Sequence, residues 1–180
     1  MSYRLVSDST RRKVLKIVVG IVGTLSLGST SVIAQSNEIE IEDWNDLDAV
    51  REGRDSDYVL ANDLTPETDG YNEVVETPDT GFTPIGYFTG SFNGQNNTIE
   101  QLVVDEHPND DIDSAGLFSR VAEEGEIRNV ELEDINVTGG QSVGGLDGQV
   151  SRSTVSNTSV SGSITVLAEG GNVGGLVGVL

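Results

Sequence analysis

The stretch Ile127-Arg128-Asn129-Val130-Glu131-Leu132 returns 28 residues later as Val155-Ser156-Asn157-Thr158-Ser159-Val160. Twenty-eight residues earlier stands Ile99-Glu100-Gln101-Leu102-Val103-Val104. In each copy an apolar residue holds the first and last positions. An amide (Gln101, Asn129, Asn157) holds the third. A second ladder, Phe88, Leu117, Leu146 and Leu176, runs in step with the first at intervals of 29, 29 and 30 residues. Two ladders sharing one period mean one turn of chain per repeat. The apolar spacing is strand-like, and Val, Thr, Ile and Ser dominate, which argues against helical repeats. The expected fold is therefore all-β, a parallel β-helix of about 28 residues per coil. Like residues stack on like at about 4.8 Å per coil. Ile, Leu and Val fill the interior, and stacked amides link along the axis as in cross-β ladders.

Upstream, Ile39-Glu40-Ile41 alternates as a brief strand. Asp43 can cap a short helix whose Trp44, Leu47 and Val50 share one face, with Gly53 as its stop. Such a helix would seal the open edge of the stack, and Trp44 reads as a packing residue. Tyr58-Val59-Leu60 is the next strand candidate. Residues 65–81 form an acidic stretch bounded by Pro66, Gly70, Pro78 and Gly81, expected to loop outside the body.

The second ladder carries a motif. Val143-Gly144-Gly145-Leu146-Asp147-Gly148 and Val173-Gly174-Gly175-Leu176-Val177-Gly178 resemble the GLUG motif, with Ser114-Ala115-Gly116-Leu117-Phe118-Ser119 as a degenerate copy. The resemblance extends to Tyr58–Leu64 and Pro84–Gly94, covering about residues 44–180. It implies a secreted or surface-attached, adhesin-like protein. Asp147 stands where the motif has an apolar residue, and Ser119 where it has its final Gly. The motif describes a coil corner and carries no chemistry.

Ser9-Thr10-Arg11-Arg12-Lys13-Val14-Leu15-Lys16 resembles a twin-arginine export signature. The apolar run that follows, Ile17 to Leu27, is too short to span a bilayer as a stable helix. Val32-Ile33-Ala34 fits a small-x-small cleavage site. The expected organisation is a signal peptide over 1–34, a cap segment over 35–57 and a β-helix with GLUG-type repeats over 58–180. The protein is then secreted or on the cell surface, with no membrane insertion after cleavage. The final copy ends without a polar cap, so the β-helix is expected to be truncated there and to self-associate through its uncapped coil.

Charge narrows the function. Beyond Ala34 there are five Arg, no Lys and 29 acids, a formal charge of −24 over 146 residues. Such a surface repels nucleic acid, whose binding needs cations on phosphates, and anionic membranes likewise. The absence of Lys favours adaptation to molar salt, where the screening length falls to about 3 Å, over a cation-scavenging role. Loss of structure is expected when that salt is removed.

Candidate sites are few. With no Cys, disulfides and thiolate sites are excluded. His107 is the sole histidine, followed by Pro108, and reads as a turn residue with no nucleophile or metal partner. Asp105 to Asp113 is the densest ligand-type cluster. Asp110, Asp111 and Asp113 are weak candidates for calcium, because Ala115 stands where a further oxygen ligand would be expected. Asn96, Asn136 and Asn157 each head a glycosylation sequon, Asn157 being also a ladder residue. Arg128 falls on a solvent-facing position, and no set of acids fills catalytic roles. No catalytic residue and no cofactor is expected. The leading expectation is an adhesin-like interaction or structural module with a glycan or cell-surface partner. The alternative is a carbohydrate-active enzyme of the lyase or hydrolase kind.

Overall fold

The computed structural model describes residues 37–75, 81–106, 114–169 and 171–180. The export signature, His107, Asp110, Asp111 and Asp113 lie outside the described residues. The chain builds a parallel β-helix. Its strands are β1 (Ile39–Ile41), β2 (Asp57–Leu60), β3 (Ile85–Phe88), β4 (Ser91–Asn93), β5 (Thr98–Glu100), β6 (Val103–Asp105), β7 (Ser114–Ala115) and β8 (Phe118–Ala122). They continue as β9 (Glu126–Arg128), β10 (Glu131–Gly139), β11 (Ser142–Gly144), β12 (Asp147–Ser151), β13 (Thr154–Ser156), β14 (Ser159–Val166), β15 (Asn172–Gly174) and β16 (Val177–Val179). One face stacks β1-β2-β4-β9-β13, another β14-β10-β5 with β6 also on β10, a third β15-β11-β7 and a fourth β16-β12-β8-β3. All the pairings between these strands are parallel.

The 28-residue step holds between Ile127 and Val155, which are register partners. It fails one coil earlier. Ile127 stacks on Phe92, and Ile99 stacks on Leu132. That coil carries more chain in two places: Phe92 to Ile99 is a step of seven where Ile127 to Leu132 is five, and Asp105 to Ala115 is a step of ten where Thr138 to Val143 is five. The first excess falls in the turn at 94–97, where Gln95 and Asn96 take positive φ. The second ladder holds at Leu117, Leu146 and Leu176, but Phe88 is not its first rung. Phe88 pairs with Val121, and Ile85 is the partner of Phe118. By register Pro84 takes the place before it. The interior also departs from an all-aliphatic one. Phe88 lies 5.0 Å from Phe118 and 6.4 Å from Tyr58, and Phe92 meets Phe118 edge-on at 5.6 Å. These rings fill the early coils beside stacked aliphatic pairs such as Ile41 and Leu60.

The N-terminal end is sealed by helix α1 (Trp44–Ala49) and a 3-10 turn, Val50–Glu52. The Asp43 carboxylate accepts from the Asp46 N–H, a favourable N-cap. Trp44, Leu47 and Val50 are fully buried, as their spacing requires. The stretch after Thr65 is not an outer loop. Its helix α2 (Tyr71–Val74) packs on α1, with Tyr71 and Val75 buried. The Tyr71 ring meets Trp44 edge-on at 5.4 Å. Its hydroxyl donates to the Gln101 carbonyl, and Trp44 Nε1–H donates to that of Thr65. The acidic residues of this stretch mask the apolar positions between them, which complete the cap.

Candidate functional site

The amide ladder is real but has a different first member. Asn157 Nδ2 donates to Asn129 Oδ1 at 3.2 Å, and Asn129 Nδ2 donates to Asn93 Oδ1 at 3.0 Å. Gln101 belongs to another corner, its N–H donating to the Glu133 carbonyl. What Gln101, Asn129 and Asn157 share is a left-handed backbone, with φ of 50–55°, a conformation that Asn tolerates better than most residues. A shallow depression runs beside the ladder, lined by Asn96, Asn129, Glu131 and Asn157.

The three sequons differ in setting. Asn96 is exposed in the 94–97 turn, and its N–H donates to the Asn129 carbonyl. Asn136 is exposed but lies mid-strand between Val103 and Ser163. The Asn157 nitrogen is engaged in the ladder. Of the acidic cluster, Asp105 ends β6, and Glu106 is buried with its N–H bonded to the Thr138 carbonyl. Among the described residues no group of three or more acids or histidines is placed to hold a metal.

Asp147 is, with Glu106, one of two buried acids among the described residues. Its side chain is fully buried at the corner between β11 and β12, where the other motif copies have Phe118 and Val177. Its Oδ2 accepts from the Val121 N–H at 3.0 Å and its Oδ1 from the Gln149 N–H at 2.9 Å. Burial pushes its pKa up to about 7. The two N–H donors and the Arg120 charge act in the opposite direction.

On the outer face of the fourth sheet, Tyr87, Arg120 and Gln149 stand in register on successive coils. The Arg120 guanidinium carbon lies 5.4 Å from the centre of the Tyr87 ring. Glu52, Arg54, Asp55, Tyr87 and Thr89 line one depression, and Glu123, Glu124 and Arg152 another. These residues carried no motif. The signal for them is the scarcity of arginine in an acidic chain, combined with the register, which the 28-residue period alone does not supply. Arg128, by contrast, is half-buried and salt-bridged to Glu126 at 2.9 Å, with Glu38 at 3.8 Å.

No family model matches the chain, and no solved structure matches it. The chain is similar to halomucin of Haloquadratum walsbyi, at 33% identity over 150 residues. That alignment takes in 77% of this chain and 2% of halomucin. The chain thus spans about 2% of the length of the curated relative it matches. Together with the fold, this describes a β-solenoid repeat related in sequence to a short part of halomucin.

Proposed function

We propose that the chain is an exported module of the cell surface or the surrounding medium, built of GLUG-type coils and adapted to molar salt. It acts by interaction rather than catalysis. The observation that carries this reading is the similarity to halomucin over 77% of the chain, laid on a parallel stack whose charge is strongly acidic and free of Lys beyond Lys16. A solenoid suits such a module, because each coil contacts only its neighbours and the fold extends by adding coils. The 1–34 segment supplies the route, with Arg11 and Arg12 as the export pair. Self-association through the outer edges of β13 to β16 belongs to the same proposal, since the unpaired backbone groups of an edge strand are a ready template for another chain.

The test is fractionation of cells that produce the full chain. The protein is expected in the medium or protease-accessible on whole cells, beginning at Gln35. The Arg11→Lys, Arg12→Lys double variant is expected to remain in the cytoplasm. Wild-type protein retained inside the cell with Met1 or Ser2 as its first residue would sink the proposal.

A further inference from the structure

We propose that the outer face around Tyr87 binds an acidic polysaccharide, a sugar chain bearing carboxylates or sulfates. The inference rests on the surface reading above only in that such a polymer is met outside the cell.

The first observation is how the arginines are used. Beyond Ala34 five arginines face 29 acids, so each could readily find a carboxylate. Arg51 is salt-bridged to Asp48, and Arg128 to Glu126 and Glu38. Among the described residues no ion pair holds Arg54, Arg120 or Arg152. These three gather on one side of the stack. Arg54 lies across the backbone of Gly86, its Nη1 only 2.6 Å from where a β-carbon there would stand. Arg120 stacks on the Tyr87 ring. Arg152 lines a second depression with Glu123 and Glu124, and the charges of Arg152 and Glu123 both act on the Tyr87 hydroxyl.

The second observation is an orphaned donor. Arg120 Nε is buried and has no hydrogen-bond partner among the described residues. A guanidinium placed over an aromatic ring is restrained by it, which suits two-point recognition of a carboxylate or sulfate. The third is the ring itself. Tyr87 is 40% exposed in a strand whose neighbours Ile85 and Phe88 are fully buried. A sugar ring presents apolar C–H groups that can stack on such a face, while its hydroxyls reach polar side chains such as Gln149 one coil beyond Arg120. The row Tyr87, Arg120, Gln149 climbs about 4.8 Å per coil, a path for an extended polymer.

The acidic net charge does not forbid an anionic ligand in molar salt. Screening there acts over about 3 Å, which silences carboxylates far from the site. Glu52, Asp55, Glu123 and Glu124 line the same depressions, so the ligand's anionic groups must reach the guanidinium groups by short directional contacts. A neutral polysaccharide would leave the three guanidinium groups without purpose. Nucleic acid would need phosphate contacts along its length, more than three arginines offer.

The experiment measures binding of the exported protein, in molar potassium chloride, to immobilised polygalacturonate, dextran sulfate and uncharged dextran. Binding to at least one of the acidic polymers and not to dextran is expected. Arg54→Gln with Arg152→Gln, both at exposed positions, should weaken it at least tenfold with an unchanged circular dichroism spectrum. Tyr87→Ala should do the same, and Glu131→Ala on another face should leave it unchanged. Failure to bind either acidic polymer, equal binding to dextran, or full binding by the double arginine variant would overturn the inference. None of these results would alter where fractionation finds the protein, so the surface reading stands or falls separately.

Discussion

Two copies of one tetrapeptide have opposite fates in this molecule. Val143-Gly144-Gly145-Leu146 and Val173-Gly174-Gly175-Leu176 are identical in sequence. In the first, Val143 and Leu146 are fully buried, while in the second Val173 is 54% exposed. A methyl added at Gly145 would collide with Val160 and approach the Gly175 carbonyl oxygen to 2.9 Å, whereas one at Gly175 meets nothing within 4 Å. Identical residues therefore earn different stability, because a coil's burial is completed by the coil above it. Leu146 donates its N–H to the Leu176 carbonyl at 3.0 Å, and Phe118 in turn donates to that of Leu146 at 2.8 Å. The helical cap does for the first coils what a neighbouring coil does for the middle ones.

The comparison can be broken most directly by truncating each leucine. Leu146→Ala should cost about 2–5 kcal/mol, the range for buried leucines. Leu176→Ala, only partly buried against the core, should cost about half as much or less. Equal losses in chemical denaturation would show that the upper coil contributes nothing to the burial of the lower one.

Asp147 sharpens the contrast through pH. Its partner on the next coil is Val177, so the two copies differ here in chemistry as well as burial. The folded pKa, pushed up to about 7, exceeds the unfolded value of about 3.9. The folded state thus holds a proton that the unfolded state has lost. Stability is fully present below about pH 4 and falls as pH rises towards 7, by at most about 4 kcal/mol from this group. Asp147→Asn should flatten that slope whatever it does to absolute stability. A slope unchanged by the substitution would assign the titration elsewhere.

Smaller effects follow at the glycines and the surface. Gly145→Ala should cost about 1–3 kcal/mol through overpacking, and Gly175→Ala should lie within about 0.5 kcal/mol of wild type. Glu131→Ala, exposed on the outer face of β10, should also stay within about 0.5 kcal/mol. Melting curves of the three variants side by side check the order.

Much of this architecture was legible in the chain. The period, the Gly-Leu corners and the Asp43–Val50 cap all follow from spacings that burial imposes on sequence. What was hidden was hidden for physical reasons. Five extra residues between Asp105 and Ala115, with two more across the turn at Gly94–Asn97, change the register of a whole coil without leaving a period. The acidic residues around Tyr71 conceal a helix held by two apolar contacts. Asn93 joins the amide ladder diagonally, from a position that simple alignment puts one residue away. The Arg54, Tyr87 and Arg120 face depends on the register so displaced, and could not be assembled before it was known.

Amide hydrogen exchange at Leu146 and Leu176 tests the central claim, that each coil is completed by the one above. It should be measured in molar salt at a dilution where the protein is monomeric. The Leu146 amide, bonded to the Leu176 carbonyl, should exchange near the rate set by global unfolding. The Leu176 amide has no such acceptor among the described residues and should exchange orders of magnitude faster. Comparable protection at both would contradict the account.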